Sequence, residues 1–130
     1  MMTRIDIDCG SIELLQEKML LLTYKDNYFI RFNDAIEIKD AFETLCPTGP
    51  IYCIVNLKRQ FLNISPSAQR FLAKESPVLP RVKATAFIAS SLPSRLSINY
   101  FINRYKPTYP SQVFSNVNLG LNWLNAIATN

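Results

Sequence analysis

The chain has 130 residues, 48% hydrophobic and 18% charged, with fourteen basic and ten acidic residues and a net charge of +4. That length suits one domain with a real core and is short for two, so a single domain over residues 1–130 is expected. No apolar run reaches the ~18 residues of a membrane span, no tract has a disordered composition, and the modest charge, spread along the chain, argues against a nucleic-acid partner.

Met1 to Gly10 carries acids where a signal peptide needs an apolar stretch, so a soluble, cytoplasmic chain is expected. Ile5, Ile7, Ile12 and Leu14 alternate with polar residues around Gly10, which predicts a β-hairpin. Met19 to Tyr24 is a denser apolar run and predicts a third strand partly covered on both faces. Asp26 and Asn27 break it, and Tyr28 to Phe32 reads either as more strand or as the approach to a helix.

From about Arg31 to Leu45 the period changes. Ala35, Ile38, Phe42 and Leu45 fall three or four apart, as in a helix with one buried stripe, and Cys46-Pro47-Thr48-Gly49-Pro50 stops it. Ile51 to Leu57 is almost uninterrupted apolar sequence of strand length, as a central strand needs. Ser65-Pro66 then has the chemistry of a helix start, a capping hydroxyl followed by a proline in the first turn, and Ala68, Phe71 and Leu72 give a short helix its inner face. Val82 to Ala89 predicts another strand, and Ser90 to Ser94 a second serine-proline helix start. Leu96, Tyr100, Phe101 and Tyr105 are the expected inner positions of that helix, which closes at Pro107 and Pro110. Gln112 to Phe114 reads as a brief strand, with Ser115 as cap of a last helix from Val117 to Ala128 that faces inward through Leu121, Leu124, Ile127 and Ala128. Gly120 is expected to weaken this helix by roughly 1 kcal/mol relative to alanine. The alternation after three strands predicts an α/β fold: a mixed sheet with an N-terminal hairpin, parallel crossovers and about four helices.

The chain has no histidine, so the usual neutral-pH base, metal ligand and triad member are missing together. Three glycines in all, with no phosphate-binding glycine motif, argue against nucleotide-dependent chemistry. Cys9, Cys46 and Cys53 form no C-x-x-C pair and read as buried free thiols, with neither disulfide framework nor zinc site. Asp34, Glu37 and Glu43 lie close together on one predicted helix, where solvated acids are the ordinary case. No enzyme, no cofactor and no metal site is expected.

The string Ser91-Leu92-Pro93-Ser94-Arg95-Leu96, followed by Asn99-Tyr100-Phe101, Lys106-Pro107, Tyr109-Pro110, Val113-Phe114 and Trp123-Leu124, resembles a group of small bacterial STAS-like, or SpoIIAA-like, proteins of unassigned function. The likeness covers most of the chain and is most specific from residue 88 onward. It implies a SpoIIAA-like mixed sheet with an additional N-terminal strand. In the STAS antagonists of anti-sigma factors, a phosphorylatable serine sits in an Asp-Ser-Ser-Gly motif at a helix start; the corresponding place here is Ile64-Ser65-Pro66-Ser67, which keeps the serine but neither the aspartate nor the glycine. Ser65 and Ser67 are therefore candidate recognition or phosphorylation positions, with a plain N-cap as the other reading of Ser65. The same group is similar to CRAL-TRIO-type lipid-transfer domains.

A non-enzymatic binding or regulatory module is thus expected, with a protein partner of unknown identity met by Arg59 and Arg95 and by neighbours such as Lys58 and Arg70. The alternative is a small carrier of an apolar or acidic ligand with Tyr100, Phe101, Tyr105 and Phe114 as pocket walls, although the same aromatics also suit a core. A homodimer is a further expectation, from the strand edge offered by Arg4 to Leu14.

Overall fold

The computed structural model describes residues 2–16 and 18–129. It is an α/β fold built on one six-stranded mixed sheet in which the spatial order of the strands repeats their order in the chain. Strands β1 (Arg4–Ile7), β2 (Gly10–Gln16) and β3 (Met19–Tyr24) form a meander in which each runs antiparallel to the next. Gly10 begins β2 because nothing larger fits: a Cβ there would lie 2.0 Å from the Thr23 carbonyl oxygen of β3. Strands β4 (Ile51–Lys58), β5 (Val82–Ala89) and β6 (Ser111–Phe114) then add in parallel, each after a helical crossover.

The first crossover is helix α1 (Phe32–Leu45). Its inner stripe includes Ala35, Ile38, Phe42 and Leu45, as their spacing predicts. Tyr28 to Phe32 resolves into a single bridge between Ile30 and Ile64, followed by the helix. Asp34 fixes that start by accepting from the Arg31 amide and the Tyr28 hydroxyl, each at 2.9 Å. The second crossover holds α2 (Pro66–Arg70), capped by the Ser65 hydroxyl, which accepts from the Ala68 amide at 3.2 Å. It runs on into a π-helical turn, Phe71–Glu75, and a 3-10 turn, Leu79–Arg81. The third is α3 (Leu92–Tyr105), where Ser91 and Ser94 cap one another's backbone amides. Helix α4 (Val117–Ala128) ends the fold.

The helices divide unequally between the sheet faces. Alternate residues of the strands, including Leu20, Leu22, Cys53, Val55, Leu57 and Phe87, pack against α1, α2 and α3. The opposite residues Met19, Ile54, Ala84, Ala86 and Ile88 pack against α4 alone. Burying both faces of β4 and β5 is what makes their sequences so uniformly apolar.

Three local expectations are corrected. Asn116, not Ser115, caps α4, its side-chain oxygen accepting from the Leu119 amide at 3.0 Å. Gly120 is no weak point, because a Cβ there would lie 2.9 Å from Ile88 Cδ1 and 3.1 Å from Ala86 Cβ, so the missing side chain is what seats α4 on β5. In α3, Leu96 and Tyr100 face outward while Ser94, Ser97, Ile98 and Phe101 face the core. The inward serines are satisfied: the Ser97 hydroxyl accepts from the Leu62 amide and donates to the Ser94 carbonyl, both at 2.9 Å.

Candidate functional site

Parallel strands β3, β4 and β5 end at one edge of the sheet, the place where open α/β sheets gather their functional loops. The loops leaving that edge are stitched together. The Ile30 amide donates to the Asn63 carbonyl and the Ser65 amide to the Ile30 carbonyl, each at 2.9 Å. The Asn27 amide reaches the Gln60 side chain at 3.2 Å, and Asn27 takes the left-handed backbone conformation that asparagine tolerates. Beside them the Ser91 hydroxyl donates to the Arg59 carbonyl at 2.6 Å, tying the start of α3 to the end of β4.

That last bond sets the backbone of Arg59 beside the first turn of α3, the turn that carries Arg95, whose amide donates to the Ser91 carbonyl at 3.0 Å. Both side chains are exposed, and among the described residues neither is paired with a carboxylate. Next to Arg95, Leu92, Leu96 and Tyr100 are 61, 58 and 58% exposed at a spacing of four residues. They therefore form one apolar stripe on the outer face of α3.

Ser65 and Ser67 lie at the same sheet edge, both half-buried, with their hydroxyl oxygens 3.2 Å apart. Ser65 has the geometry of an N-cap. Of the four aromatic residues proposed as pocket walls, Tyr105 meets both Tyr100 and Phe101, at ring distances of 6.5 and 6.1 Å, but Phe114 does not join them. Phe101 is buried beside Phe87 and Tyr105, at ring distances of 5.9 and 6.1 Å, whereas Tyr100 points outward. Phe114 sits on the opposite face of the sheet, 5.6 Å from the Trp123 ring of α4. Adjacent strand residues alternate between faces, and Phe114 falls on the side away from α3.

Phe101 does line a cavity of about 60 Å³ between the sheet and helices α1 to α3, together with Leu22, Phe42, Val55 and Phe87. Its walls are almost wholly apolar, and it is well below the ~150 Å³ of an apolar cavity that takes benzene. Its other walls come from distant parts of the chain, so no local pattern marks them.

Two thiols and three phenols inside the fold favour their neutral forms. Burial pushes the Cys53 thiol up to about 12, and burial followed by the nearby Asp34 carboxylate pushes Cys9 to about 12. Burial also raises Tyr24 and Tyr109, and the hydrogen bond to Asp34 raises Tyr28 to about 12. Thiols in this condition are poor nucleophiles at neutral pH. Asp8, Asp34 and Glu37 present carboxylate oxygens within 4.8 Å of one another, but Asp34 is already committed to Tyr28 and Arg31. Among the described residues, no helix is long and apolar enough to cross a membrane.

Comparison with known proteins places the chain in a family. It belongs to the family described as a domain of unknown function (DUF7793), whose model matches residues 13–128. No curated protein and no solved structure matches it.

Proposed function

We propose that the chain is a non-enzymatic binding module that takes a protein partner on the outer face of α3, the partner offering an acidic amphipathic segment. The observation that carries this reading is the exposed stripe of Leu92, Leu96 and Tyr100 on the helix that also carries Arg95, which, like Arg59, is exposed and pairs with no carboxylate among the described residues. A surface helix ordinarily spends its apolar residues on the inward stripe; α3 buries two serines and displays two leucines and a tyrosine. Contiguous apolar surface rimmed by charge is the usual mark of an interaction site, and the cations supply complementarity to an acidic partner. The resemblance of the string from Ser91 to Phe101 supports taking it for a small bacterial STAS-like regulator of the cytoplasm, and edge strand β1 would be free for a two-fold contact.

The test is capture from a lysate of the source cells by the native chain, by Leu96→Asp and by the double variant Arg59→Glu/Arg95→Glu, each checked for native circular dichroism. A protein retained by the native chain and lost with both variants, and rich in acidic residues at the segment it presents, is the expected result. The same proteins retained by all three would refute the reading.

A second reading, a carrier of a small apolar ligand, would use the apolar cavity lined by Phe101, which at about 60 Å³ must widen before it takes even a benzene-sized group. Native mass spectrometry of freshly purified chain checks it: a mass equal to the bare chain in repeated preparations counts against a carrier.

A further inference from the structure

The charge that looks dispersed in the sequence is concentrated by the fold. Arg70 and Lys74 belong to α2 and the π-helical turn that follows it; Arg104 and Lys106 belong to the end of α3, thirty residues onward. In the structure these four cations line one open cleft of about 380 Å³, with Tyr105 in its wall and Glu75 as the one carboxylate lining it. Four of the fourteen basic residues and one of the ten acidic residues are there, so three of the four net positive charges of the chain gather in one place.

The walls are built. The Thr108 amide donates to the Ala73 carbonyl at 3.0 Å and the Tyr109 hydroxyl to the Leu72 carbonyl at 3.1 Å, so the segment after α3 is fastened to the π-helical turn. The Arg104 guanidinium stacks 5.3 Å from the centre of the Tyr105 ring, which orients the group while leaving its N–H edge unused. Among the described residues none of the four cations is paired with a carboxylate. A helix C-terminus carries roughly half a negative charge, which a single cation more than offsets. Two cations at each end exceed that need, and the surplus pairs with no carboxylate among the described residues.

We propose that this cleft binds a phosphate-bearing polyanion, with Arg70, Lys74, Arg104 and Lys106 as its ligands. The volume falls within the ~300–1,000 Å³ of small-molecule sites. Forked guanidiniums and flexible ammonium groups are the side chains that take phosphate oxygens, and more than one negative charge is needed to balance the excess. The cleft adjoins the end of the α3 stripe, the Tyr105 ring lying 6.5 Å from that of Tyr100, but its test changes neither the stripe nor Arg59 and Arg95, so it can fail without the protein-partner reading failing.

Calorimetric titration of the full chain with tripolyphosphate at low salt reads the soluble form of this chemistry; sedimentation with vesicles containing phosphatidylserine reads the headgroup form. Arg70→Gln/Arg104→Gln removes two ligands from the exposed surface, and Lys25→Gln/Lys83→Gln removes two exposed cations elsewhere as a control. Saturable binding that falls about tenfold or more with the cleft variant, and less than about twofold with the control, is expected for whichever form is the ligand. Tripolyphosphate binding names a soluble anion; cleft-dependent sedimentation with vesicles alone names a headgroup. No binding in either arm, or equal weakening by the two double variants, overturns the proposal.

Discussion

Gly120→Ala separates what local helix preference dictates from what packing dictates. In an exposed helix interior the change gains about 0.8–1.0 kcal/mol, because glycine gives up the most backbone freedom on ordering. Here the new methyl group would arrive 2.9 Å from Ile88 Cδ1 and 3.1 Å from Ala86 Cβ. The first contact can be relieved by turning the end of a side chain. The second cannot, because an alanine Cβ moves only with its strand, so α4 must lift off β5. Overpacking of this kind costs about 1–3 kcal/mol, which leaves a net loss near 1 kcal/mol and a Tm lowered by about 4 °C for a chain of this size. Urea unfolding followed by Trp123 is the assay, since the single tryptophan sits on α4 and its ring packs 5.6 Å from Phe114. Ile88→Val removes Cδ1, so the double variant should lose less than the sum of the two single changes. A Gly120→Ala chain about 1 kcal/mol more stable than the native one would refute the close seating of α4.

Two further predictions concern the helix starts and the buried thiols. Ser91→Ala should cost about 2 kcal/mol and Ser65→Ala about 1 kcal/mol in urea unfolding, because each loses a cap and Ser91 also loses its bond to the Arg59 carbonyl; the reverse order would show that the tie between α3 and β4 carries no stability. Cys9 and Cys53 are raised in the folded chain from 9.0 to about 12, above their unfolded values. The stability they contribute is therefore whole below pH ~9 and lost as pH rises toward 12. Urea midpoints should fall steadily from pH 9 to 11, and a thiol reagent at pH 8 should modify both cysteines only in denaturant; a flat midpoint, or rapid labelling of Cys53 in the folded chain, would contradict the burial described.

The sequence was most legible where structure is made by near neighbours. The spacing of Ala35, Ile38, Phe42 and Leu45 announces α1, the apolar run from Ile51 announces β4, and the Ser65-Pro66 and Ser91 starts work through bonds spanning three residues. It was least legible where the deciding partner is far along the chain. Ser97 faces inward because the Leu62 amide, 35 residues away, meets its hydroxyl, and this turns Leu96 and Tyr100 outward against hydrophobic spacing. Phe114 follows the pleat of β6 to the α4 face, which residue type alone does not reveal. The candidate site is where the distance along the chain matters most: the Ser91 bond to the Arg59 carbonyl joins segments 32 residues apart, and the four cations of the cleft come together only once α2 and α3 are packed side by side.

The sequential order of the strands has a bearing on how the molecule is assembled. A chain emerging from its N-terminus finishes the hairpin first, and every later strand then meets an edge already made, so no strand has to wait for a partner still to come. Pairing between consecutive elements keeps chain closures short, the condition under which folding is fast. The far face of β4 and β5 is the exception. Ile54, Ala84, Ala86 and Ile88 stay open to water until residues 117–128 arrive to cover them. The last tenth of the chain thus decides whether the growing sheet becomes a finished protein or a surface on which other chains collect.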